Sequence, residues 1–565
     1  MITRLHARAA GLGRPVTAFV SQPEPRSIGH FAKGKQLVAG NYLFSGYLVE
    51  AGAGTSLWSL DPPAIGFAED AHGFIWLDDL AAVGDLAARE LAQAWTFEWI
   101  ETFGRGAGIG WSPDLTGRRL VRWINHALFL LSGKGAVSEL FFRSLGRQTR
   151  FLARRWESTS PGLPRIEALT GLIYAGLSLT GMERYVPTAI GALGRACEAQ
   201  IDQSGAIASR NPEEHLEIFT LLNWAALALR DAGEAPAASH QAAIERMAPV
   251  LRAMRHADGG LARFHGGGRG LEGRLDAALA SSGIKAGAAQ DKAMGFARLA
   301  CGRTTVILDA DAPPRGPTSY NAHASTLAFE LTSGRRPLIV SCGSGTAFGE
   351  DWRRAGRATP SHSTLALEGY SSSRLAEARF MSGRSRELLE DTPREVLGER
   401  RSTEFALRQQ ASHDGFRATH GLVHVRTLEL ALDGRKLAGE DILVALNDKD
   451  RGVLDRAVDA SGLQGVPFTI RFHLHPDVDA SQDMGGAAIS LALRSGEIWV
   501  FRHDGQATLS LETSVYLERG RLKPRGTEQI VLSGRALQET TRVRWTLAKA
   551  QETPLSVRDT RRDDL

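Results

Sequence analysis

The spacing of apolar residues along this chain changes near residue 290. Before that point, apolar residues recur every three or four positions, which is typical of one face of an α-helix. After it, short runs rich in Val, Ile, Thr and Phe are separated by Gly, Pro, Asp and Ser, which is typical of strands and turns. The change predicts a helical first half followed by a β-rich second half.

The helical pattern is found in several segments, and glycine or proline commonly follows them, as expected where helices stop. No fixed sequence repeat links these segments, so we expect paired antiparallel helices in a bundle, solenoid or toroid rather than a strict repeat array. The segments that carry the pattern are 77–104, 115–133, 166–181, 213–233 and 240–260.

The strand pattern continues to residue 549, with strands spaced about 8–12 residues apart. Such spacing predicts an antiparallel β-sandwich. The segment 269–295 is rich in glycine and alanine and is interpreted as a linker. We therefore expect a helical domain over 1–285, a β-sandwich domain over 286–550 and a polar tail over 551–565.

The composition excludes several classes of protein. A net charge of +4 over 565 residues is too dilute for a nucleic-acid-binding surface. The three cysteines, Cys197, Cys301 and Cys342, are too few and too far apart for a disulfide framework. No run approaches the roughly 20 apolar residues of a membrane span, and the N-terminus lacks the apolar core of a secretory signal. A soluble cytoplasmic protein is the direct interpretation, and its oligomeric state is left open.

Two histidines lie where predicted loops enter strands. His323 does so in SYNAHASTLAFEL and His362 in SHSTLALEG. If these entries lie side by side, the imidazoles could bind a metal ion, or one could act as an acid or base. The alternative is that each caps its loop by hydrogen bonding. His473 and His475, two apart on a strand, predict either a metal-binding pair or a polar, solvated face.

A second polar segment, SRNPEEHLEIF, opens a helix. Asn211 is suited to the N-cap, Pro212 to the first helical position and Glu214 to the capping box. For His215, which follows in the first turn, a structural explanation is weaker. Asp78 and Asp79 could be the carboxylate pair of a hydrolase, but adjacent residues of a helix point apart, which disfavours that alternative.

The stretch NAHASTLAFEL…RRPLIVSCG…WRRAGRATPSHSTLALEG, within 317–369, resembles the C-terminal domain of the heparinase II/III-like polysaccharide lyases. The segments WSPDLTGRRLVRW (111–123) and FRHDG…SVYLERG…RGTEQIVLSG resemble the subset of such proteins that is common in alphaproteobacteria. The resemblance implies an (α/α) toroid followed by an antiparallel β-sandwich. It also implies β-elimination of a uronate-containing, glycosaminoglycan-like polysaccharide in a cleft between the two domains. If family behaviour holds, the location is the periplasm or cell envelope.

The resemblance also assigns a metal set. His323 matches the second histidine of the family's pair, and His362 matches the histidine of its His-Asn-Thr segment, both metal ligands in some members. Ser341 stands where the acidic ligand is expected. Cys342, one residue further, could supply a thiolate instead, and a Cys-His-His set would accept zinc. Zinc is therefore the candidate cofactor.

For catalysis, the family uses an asparagine or histidine to neutralise the uronate carboxylate and a tyrosine as base and acid. The candidates for these roles are His323, Asn321, Asn211, His215 and Tyr320, where Asn321 replaces the first histidine of the family's pair. Phe264 and His265 stand where the tyrosine is expected. The candidates for substrate binding are Arg357, Arg354 and His265. The changes at 321 and 341 favour an alternative, a non-catalytic glycan-binding or cell-envelope polysaccharide assembly protein on the same scaffold.

Overall fold

The computed structural model describes residues 2–133, 138–289, 292–381, 384–518 and 520–552. These residues form two compact units. The helical unit contains 1–205, 216–248 and 277–284, and the sheet unit contains 206–215, 249–276 and 285–565, within the described ranges. Residues 553–565 of the predicted polar tail lie outside the described residues, and the predicted domain limits stay a prediction.

Helices dominate the chain up to residue 282 and are rare after it. They are α1 Ile2–Ala10, α2 Phe31–Val38, α3 Ile65–His72, α4 Trp76–Val83, α5 Leu86–Phe103, α6 Pro113–Asn125, α7 Ala127–Leu131, α8 Ser138–Arg155, α9 Leu163–Ser178, α10 Val186–Gln200, α11 Pro212–Asp231, α12 Ala238–Met254, α13 Arg274–Ser282, α14 Glu350–Arg357, α15 Arg417–His420 and α16 Asp448–Ala460.

Each predicted helical segment is helical in the structure, with two refinements. The segment 77–104 is split into α4 and α5 because Gly84 adopts a left-handed conformation (φ +68°) and ends the first helix. The segment 115–133 is split into α6 and α7 at His126. The predicted linker contains α13, so it is not without regular structure.

The core of the helical unit is largely aromatic. Trp99 packs edge-to-face on Trp123 at 5.6 Å and lies beside Trp111 at 6.3 Å. The Arg119 guanidinium lies 4.0 Å from the centre of the Trp99 ring and is fully buried. Asp78 accepts from the Arg122 guanidinium at 3.0 Å, an internal ion pair rather than part of a carboxylate pair.

Strands dominate the sheet unit, and one short hairpin, β1 with β2, lies in the helical unit. The strands are β1 Asn41–Phe44, β2 Tyr47–Glu50, β3 Phe296–Cys301, β4 Thr304–Asp309, β5 Phe329–Ser333, β6 Arg336–Val340, β7 Leu365–Leu367, β8 Arg374–Leu375, β9 Arg379–Met381, β10 Arg384–Arg386, β11 Leu389–Glu390, β12 Val396–Ser402, β13 Ala406–Phe416, β14 Leu422–Ala431, β15 Lys436–Val444, β16 Val466–Leu474, β17 Val478–Asp483, β18 Ala488–Leu493, β19 Ile498–His503, β20 Thr508–Tyr516, β21 Arg525–Ala536 and β22 Thr540–Gln551.

Two large antiparallel sheets make the sandwich. The first has the order β20-β21-β16-β6-β5-β4-β3, with β7 also paired to β16, and the second has the order β12-β13-β14-β15-β22-β19-β18-β17. Their facing sides bury apolar residues at alternate positions. Trp545 of the second sheet stacks on Phe329 at 5.8 Å and meets Phe472 at 4.7 Å, both from the first sheet. The predicted order of a helical domain followed by an antiparallel sandwich is confirmed.

No helix in the described ranges is long and apolar enough to cross a membrane.

Candidate functional site

His323, His362 and Ser341 form a buried chain of polar contacts in the sheet unit. His323 Nδ1 lies 3.2 Å from His362 Nε2, and His362 Nδ1 lies 3.0 Å from the Ser341 hydroxyl. His362 lies three residues before β7, as predicted, but His323 lies in a loop well before β5 begins at Phe329 rather than at the strand entry. The three side chains are at most 2% exposed.

Burial sets the charge of these two imidazoles. It lowers the pKa of His362 to about 3, with the nearby His473 and His265 adding to the effect. Burial also holds the pKa of His323 well below its ordinary value, and His362 lowers it further. Both rings are therefore neutral at neutral pH, each able to donate one hydrogen bond and accept another.

Cys342 does not join this chain, because its thiol faces the other way. Cys342 Sγ lies 3.5 Å from His473 Nδ1, which also contacts the Ser514 hydroxyl at 2.8 Å. His473 Nε2 donates to the Pro360 carbonyl at 2.9 Å. Burial raises the pKa of the Cys342 thiol to about 11, so it is not a thiolate at neutral pH.

The residues present do not fit the predicted zinc set. Two nitrogens bound to one tetrahedral zinc ion are about 3.3 Å apart, so the spacing of His323 and His362 alone would suit two ligands. The third ligand is missing, because Ser341 contacts the opposite nitrogen of His362 and Cys342 faces His473. Within the described ranges, no three His, Cys, Asp or Glu side chains are grouped to hold a metal ion.

His265 joins the cluster from the start of the glycine-rich loop 265–270. The backbone N–H of His323 donates to His265 Nδ1 at 3.2 Å, so the neutral ring carries its proton on Nε2, which lies 3.4 Å from Asp309 Oδ2. Asp309 also accepts from the Arg210 guanidinium at 2.6 Å and from the Ser325 hydroxyl at 2.7 Å. His265 Nε2 therefore faces a buried carboxylate but makes no hydrogen bond with the described residues.

Asp309 and Arg210 are the residues that the sequence analysis missed. Burial alone would raise the pKa of Asp309, but Arg210 and then His265 outweigh it and hold that pKa well below its usual range. Arg210 directly precedes Asn211, and Asp309 is the last residue of β4. A charged residue at the end of an apolar strand was the available signal.

The glycines after His265 bring two of the predicted asparagines to one loop. A Cβ added at Gly267 would lie 2.5 Å from Asn211 Oδ1, and one added at Gly266 (φ +87°) would lie 3.0 Å from Asn321 Cβ. Asn211 Oδ1 accepts from the backbone N–H groups of Glu213 at 3.0 Å and Glu214 at 3.2 Å. The predicted N-cap is confirmed, and it occupies the amide oxygen of Asn211.

The other predicted proton-transfer residues lie in different surroundings. His215 is fully buried in the first turn of α11. Tyr320 lies in a short 3-10 helix, with its ring 4.4 Å from the Arg386 guanidinium. Burial raises the pKa of Tyr320, and the carboxylate of Glu214 raises it further. A tyrosine that acts as a base needs the opposite shift.

The two predicted substrate-binding arginines differ sharply. Arg357 is 1% exposed and donates to the carbonyls of Ala322 at 2.8 Å, Ser319 at 2.9 Å and Glu387 at 2.9 Å. All arms of this guanidinium bind backbone. The Arg354 side chain is 57% exposed and pairs with the Glu387 carboxylate at 3.1 Å. Of the two, Arg354 is the one that solvent reaches.

The His-x-His pair, with His473 in β16 and His475 directly after its last residue, is buried, so the solvated-face interpretation is wrong. His473 is 3% exposed and His475 is 0% exposed. His475 packs against the Tyr516 ring at 5.0 Å, whereas His473 contacts Ser514 and Pro360. The two imidazoles have separate surroundings.

Comparison with known proteins places this architecture. Residues 285–546 match the model of the heparinase II/III-like C-terminal domain. FtsZ-localized protein C of Caulobacter vibrioides is 30% identical over 559 residues, which cover 97% of this chain and 92% of that protein. The chain belongs to the heparinase II/III-like family. The resemblance predicted from the sequence is confirmed.

Solved structures agree on the fold of this heparinase II/III-like chain. The crystal structure of heparinase III aligns with a TM-score of 0.67 at 14% identity, over 97% of this chain and 89% of that one. Heparan sulfate lyase HepC from Pedobacter heparinus, as a mutant, aligns with a TM-score of 0.58 at 14% identity, over 98% and 88%. At such identity the likeness shows the shared fold, a toroid followed by a β-sandwich.

A second buried network supports the histidine loops of the heparinase II/III-like sandwich. Arg426 of β14 donates to the carbonyls of Leu327 and Ser363, each at 2.8 Å, which lie shortly after His323 and His362. Its other nitrogens bind Asp441 of β15 at 2.8 and 3.1 Å. Through Arg426, the second sheet thus binds the backbone of both the His323 loop and the His362 loop.

Asp441 is the centre of that network. It also accepts from His424 Nε2 at 2.7 Å and from the indole N–H of Trp545 at 2.9 Å. His424 Nδ1 lies 3.3 Å from His413 Nε2, so a second pair of buried imidazoles is found here. Burial would raise the pKa of Asp441, but Arg426 and then His424 hold it well below its usual range.

Proposed function

We propose that this chain binds an acidic glycan on a polysaccharide-lyase scaffold and does not cleave it. The observation that carries the proposal is the state of the histidine cluster. His323, His362 and His265 are buried, neutral and engaged with one another, with Ser341 or with Asp309. Side chains in that state hold a loop conformation well but exchange protons with a bound sugar poorly.

The chemistry of β-elimination explains why these features count against cleavage. The uronate carboxylate must be neutralised so that the enolate that forms after loss of the C5 proton is stabilised. A base must take that proton, and an acid must protonate the departing O4 oxygen. A base works best when its pKa lies near the working pH, whereas the pKa of His362 is about 3.

Two further candidates are also poorly suited to the reaction. The Tyr320 phenol has a raised pKa, which disfavours the phenolate that would act as base. Arg357 would be the natural partner of a uronate carboxylate, but its nitrogens already donate to three backbone carbonyls. These contacts support a structural role for Arg357 and leave Arg354 as the solvent-accessible cation of α14.

The ligand that we propose is an acidic, glycosaminoglycan-like polysaccharide. Support comes from the fold shared with heparinase III and heparan sulfate lyase HepC. Bacterial exopolysaccharides and cell-envelope glycans carry the same carboxylates, so the proposal names the chemistry of the ligand and not its source.

The second candidate function is the lyase reaction itself. The observation that favours it is the proximity of Asn211 and Asn321 at the glycine-rich loop next to His265. In this candidate, the Asn211 amide N–H₂ would neutralise the uronate carboxylate, since only its oxygen is used by the helix cap. His323 would then move the protons, despite its depressed pKa.

The full-length relative suggests where such a protein works. FtsZ-localized protein C matches nearly the whole chain, toroid and sandwich together. We propose that this chain likewise localises with FtsZ, as an assembly protein of envelope polysaccharide. Co-sedimentation with FtsZ filaments from the same organism tests this, and a chain that stays in the supernatant at all protein ratios contradicts it.

The experiment that separates binding from cleavage uses purified wild-type chain and a panel of acidic polysaccharides. Binding is measured by calorimetry, and cleavage by the ultraviolet absorbance of the unsaturated product. We expect binding of at least one glycan with no rise in absorbance. A rise that is lost in both Asn211→Ala and His323→Ala would establish the lyase reaction instead.

A further inference from the structure

The helical unit carries a group of arginines that no part of the proposed site uses. We define the arginine surface as Arg14, Arg105, Arg147, Arg150, Arg154 and Arg184. The second half of α8 contributes Arg147, Arg150 and Arg154, and the segment after α1 contributes Arg14. All six belong to the helical unit.

Backbone contacts fix the inner part of this surface. Arg150 Nε donates to the Ala10 carbonyl at 2.6 Å, and its Nη1 donates to the Arg14 carbonyl at 2.9 Å. Arg147 Nη1 donates to the Gly104 carbonyl at 2.7 Å, beside Arg105. Residues 10–14 therefore lie over two guanidinium groups, since a Cβ added at Gly11 would lie 2.8 Å from Arg147 Nε and one added at Gly13 would lie 2.7 Å from Arg150 Nε.

The charges of this surface repel one another. Burial lowers the pKa of Arg150, and the arginines at 184, 147 and 154 lower it further. Burial likewise lowers the pKa of Arg147, together with Arg105. Within the described ranges, no ion pair joins any of the six to a carboxylate, although ion pairs are frequent elsewhere in the chain. An anion placed here would relieve that repulsion.

We infer that the arginine surface binds a strand of acidic polysaccharide through its carboxylate or sulfate groups. This inference rests on the proposed glycan-binding function and gives it a second surface, within the helical unit alone. The planar guanidinium fork matches carboxylate and sulfate oxygens two at a time, which a compact ammonium cannot do.

An anionic membrane is the competing partner, and the apolar content of the surface argues against it. The neighbouring helix α1 has nine residues, and the exposed leucines beside the surface are Leu5 (56%) and Leu12 (89%). Helices that lie in a membrane interface bury a continuous apolar face, which two separated leucines do not supply.

The test uses the full chain with four exposed arginines replaced together, Arg14→Ala, Arg105→Ala, Arg154→Ala and Arg184→Ala. Arg147 and Arg150 are kept because their backbone contacts support the fold. The matched control removes the same charge from exposed arginines of the sheet unit, Arg374→Ala, Arg379→Ala, Arg401→Ala and Arg451→Ala. Thermal unfolding of both variants checks that they are folded.

The probes are heparin, polygalacturonate and vesicles that contain phosphatidylglycerol. We expect the surface variant to bind the better glycan about tenfold or more weakly, and the control to stay within about twofold of wild type. Equal loss in both variants, or no loss in the surface variant, overturns the inference while glycan binding stands. Wild-type chain that binds neither glycan overturns the proposed function and this inference together. Binding to vesicles alone overturns it in favour of a membrane.

Discussion

Two pairs of buried histidines in the sheet unit invite comparison. His323 and His362 meet at 3.2 Å, and His413 and His424 meet at 3.3 Å. The second pair ends on the carboxylate of Asp441, which also binds Arg426, whereas the first pair ends on the hydroxyl of Ser341. Similar imidazole contacts are therefore anchored by a charged network in one pair and by a neutral hydroxyl in the other.

Loss of the charged anchor, Asp441, should destabilise the fold far more than loss of the neutral anchor, Ser341. Asp441→Asn leaves the buried Arg426 without its counter-charge, so we expect a loss of about 3–5 kcal/mol in the free energy of unfolding. Ser341→Ala removes one neutral hydrogen bond and should cost about 1 kcal/mol. Urea unfolding of both variants measures the difference. Similar losses would mean that the two pairs are anchored alike.

Arg357, which lies near the first pair, should stabilise the fold as Arg426 does rather than bind a ligand. Arg357→Ala removes the side-chain donor of three carbonyls, of which Ser319 keeps the Ala322 backbone N–H as a second donor, and we expect a loss of about 2–4 kcal/mol. Arg354→Ala, on the same helix but exposed, should cost less than about 1 kcal/mol. If Arg357→Ala instead unfolds like wild type and binds glycan more weakly, the structural role is excluded.

Neutral burial of the first pair makes stability depend on pH. The pKa of His362 is about 3 in the folded chain against 6.5 when unfolded, so only the unfolded chain takes up this proton as the pH falls below 6.5. Stability is therefore lost on acidification, by about 2 kcal/mol at about pH 5 for this one group. His362→Gln should flatten the pH dependence of the urea midpoint, with the exposed His30→Gln as control. An unchanged slope in His362→Gln would contradict neutral burial.

The smallest effect should come from making the first pair resemble the second. Ser341→Asp places a carboxylate at His362 Nδ1, and we expect the pKa of His362 to rise by about one unit or more. Histidine NMR signals followed against pH measure the shift. Because Ser341 faces the nitrogen opposite His323, this variant should bind no zinc through the pair. Stoichiometric zinc in the variant would show that the loop can turn to complete a metal site.

Sequence reasoning predicted the fold well because periodicity reports which face of each element is buried. The helical segments before residue 260 and the strands after residue 303 are both found. It also brought His323 and His362 together, through the resemblance. It could not tell that Cys342 faces His473, because side-chain direction at the end of β6 depends on how the strand leaves the sheet.

The buried ion pairs could not be predicted from the sequence either. Arg210 and Asp309 are 99 residues apart in sequence, whereas Arg426 and Asp441 lie opposite each other on the neighbouring strands β14 and β15. A lone charged residue in an apolar strand looks like an interruption of the pattern. When it forms an ion pair with a buried residue of opposite charge, it can instead hold a loop in place. Such pairs depend on strand register, which the sequence alone does not give.

The proposed function depends on a His323–His362 pair that is neutral, buried and unable to move protons at neutral pH. Nitrogen NMR of histidine-labelled chain, with His323→Gln and His362→Gln for assignment, tests it directly. We predict that both rings stay neutral, each with one protonated nitrogen, from neutral pH down to about pH 5. A ring of this pair that titrates near neutral pH would contradict the claim and restore it as the acid or base of a lyase.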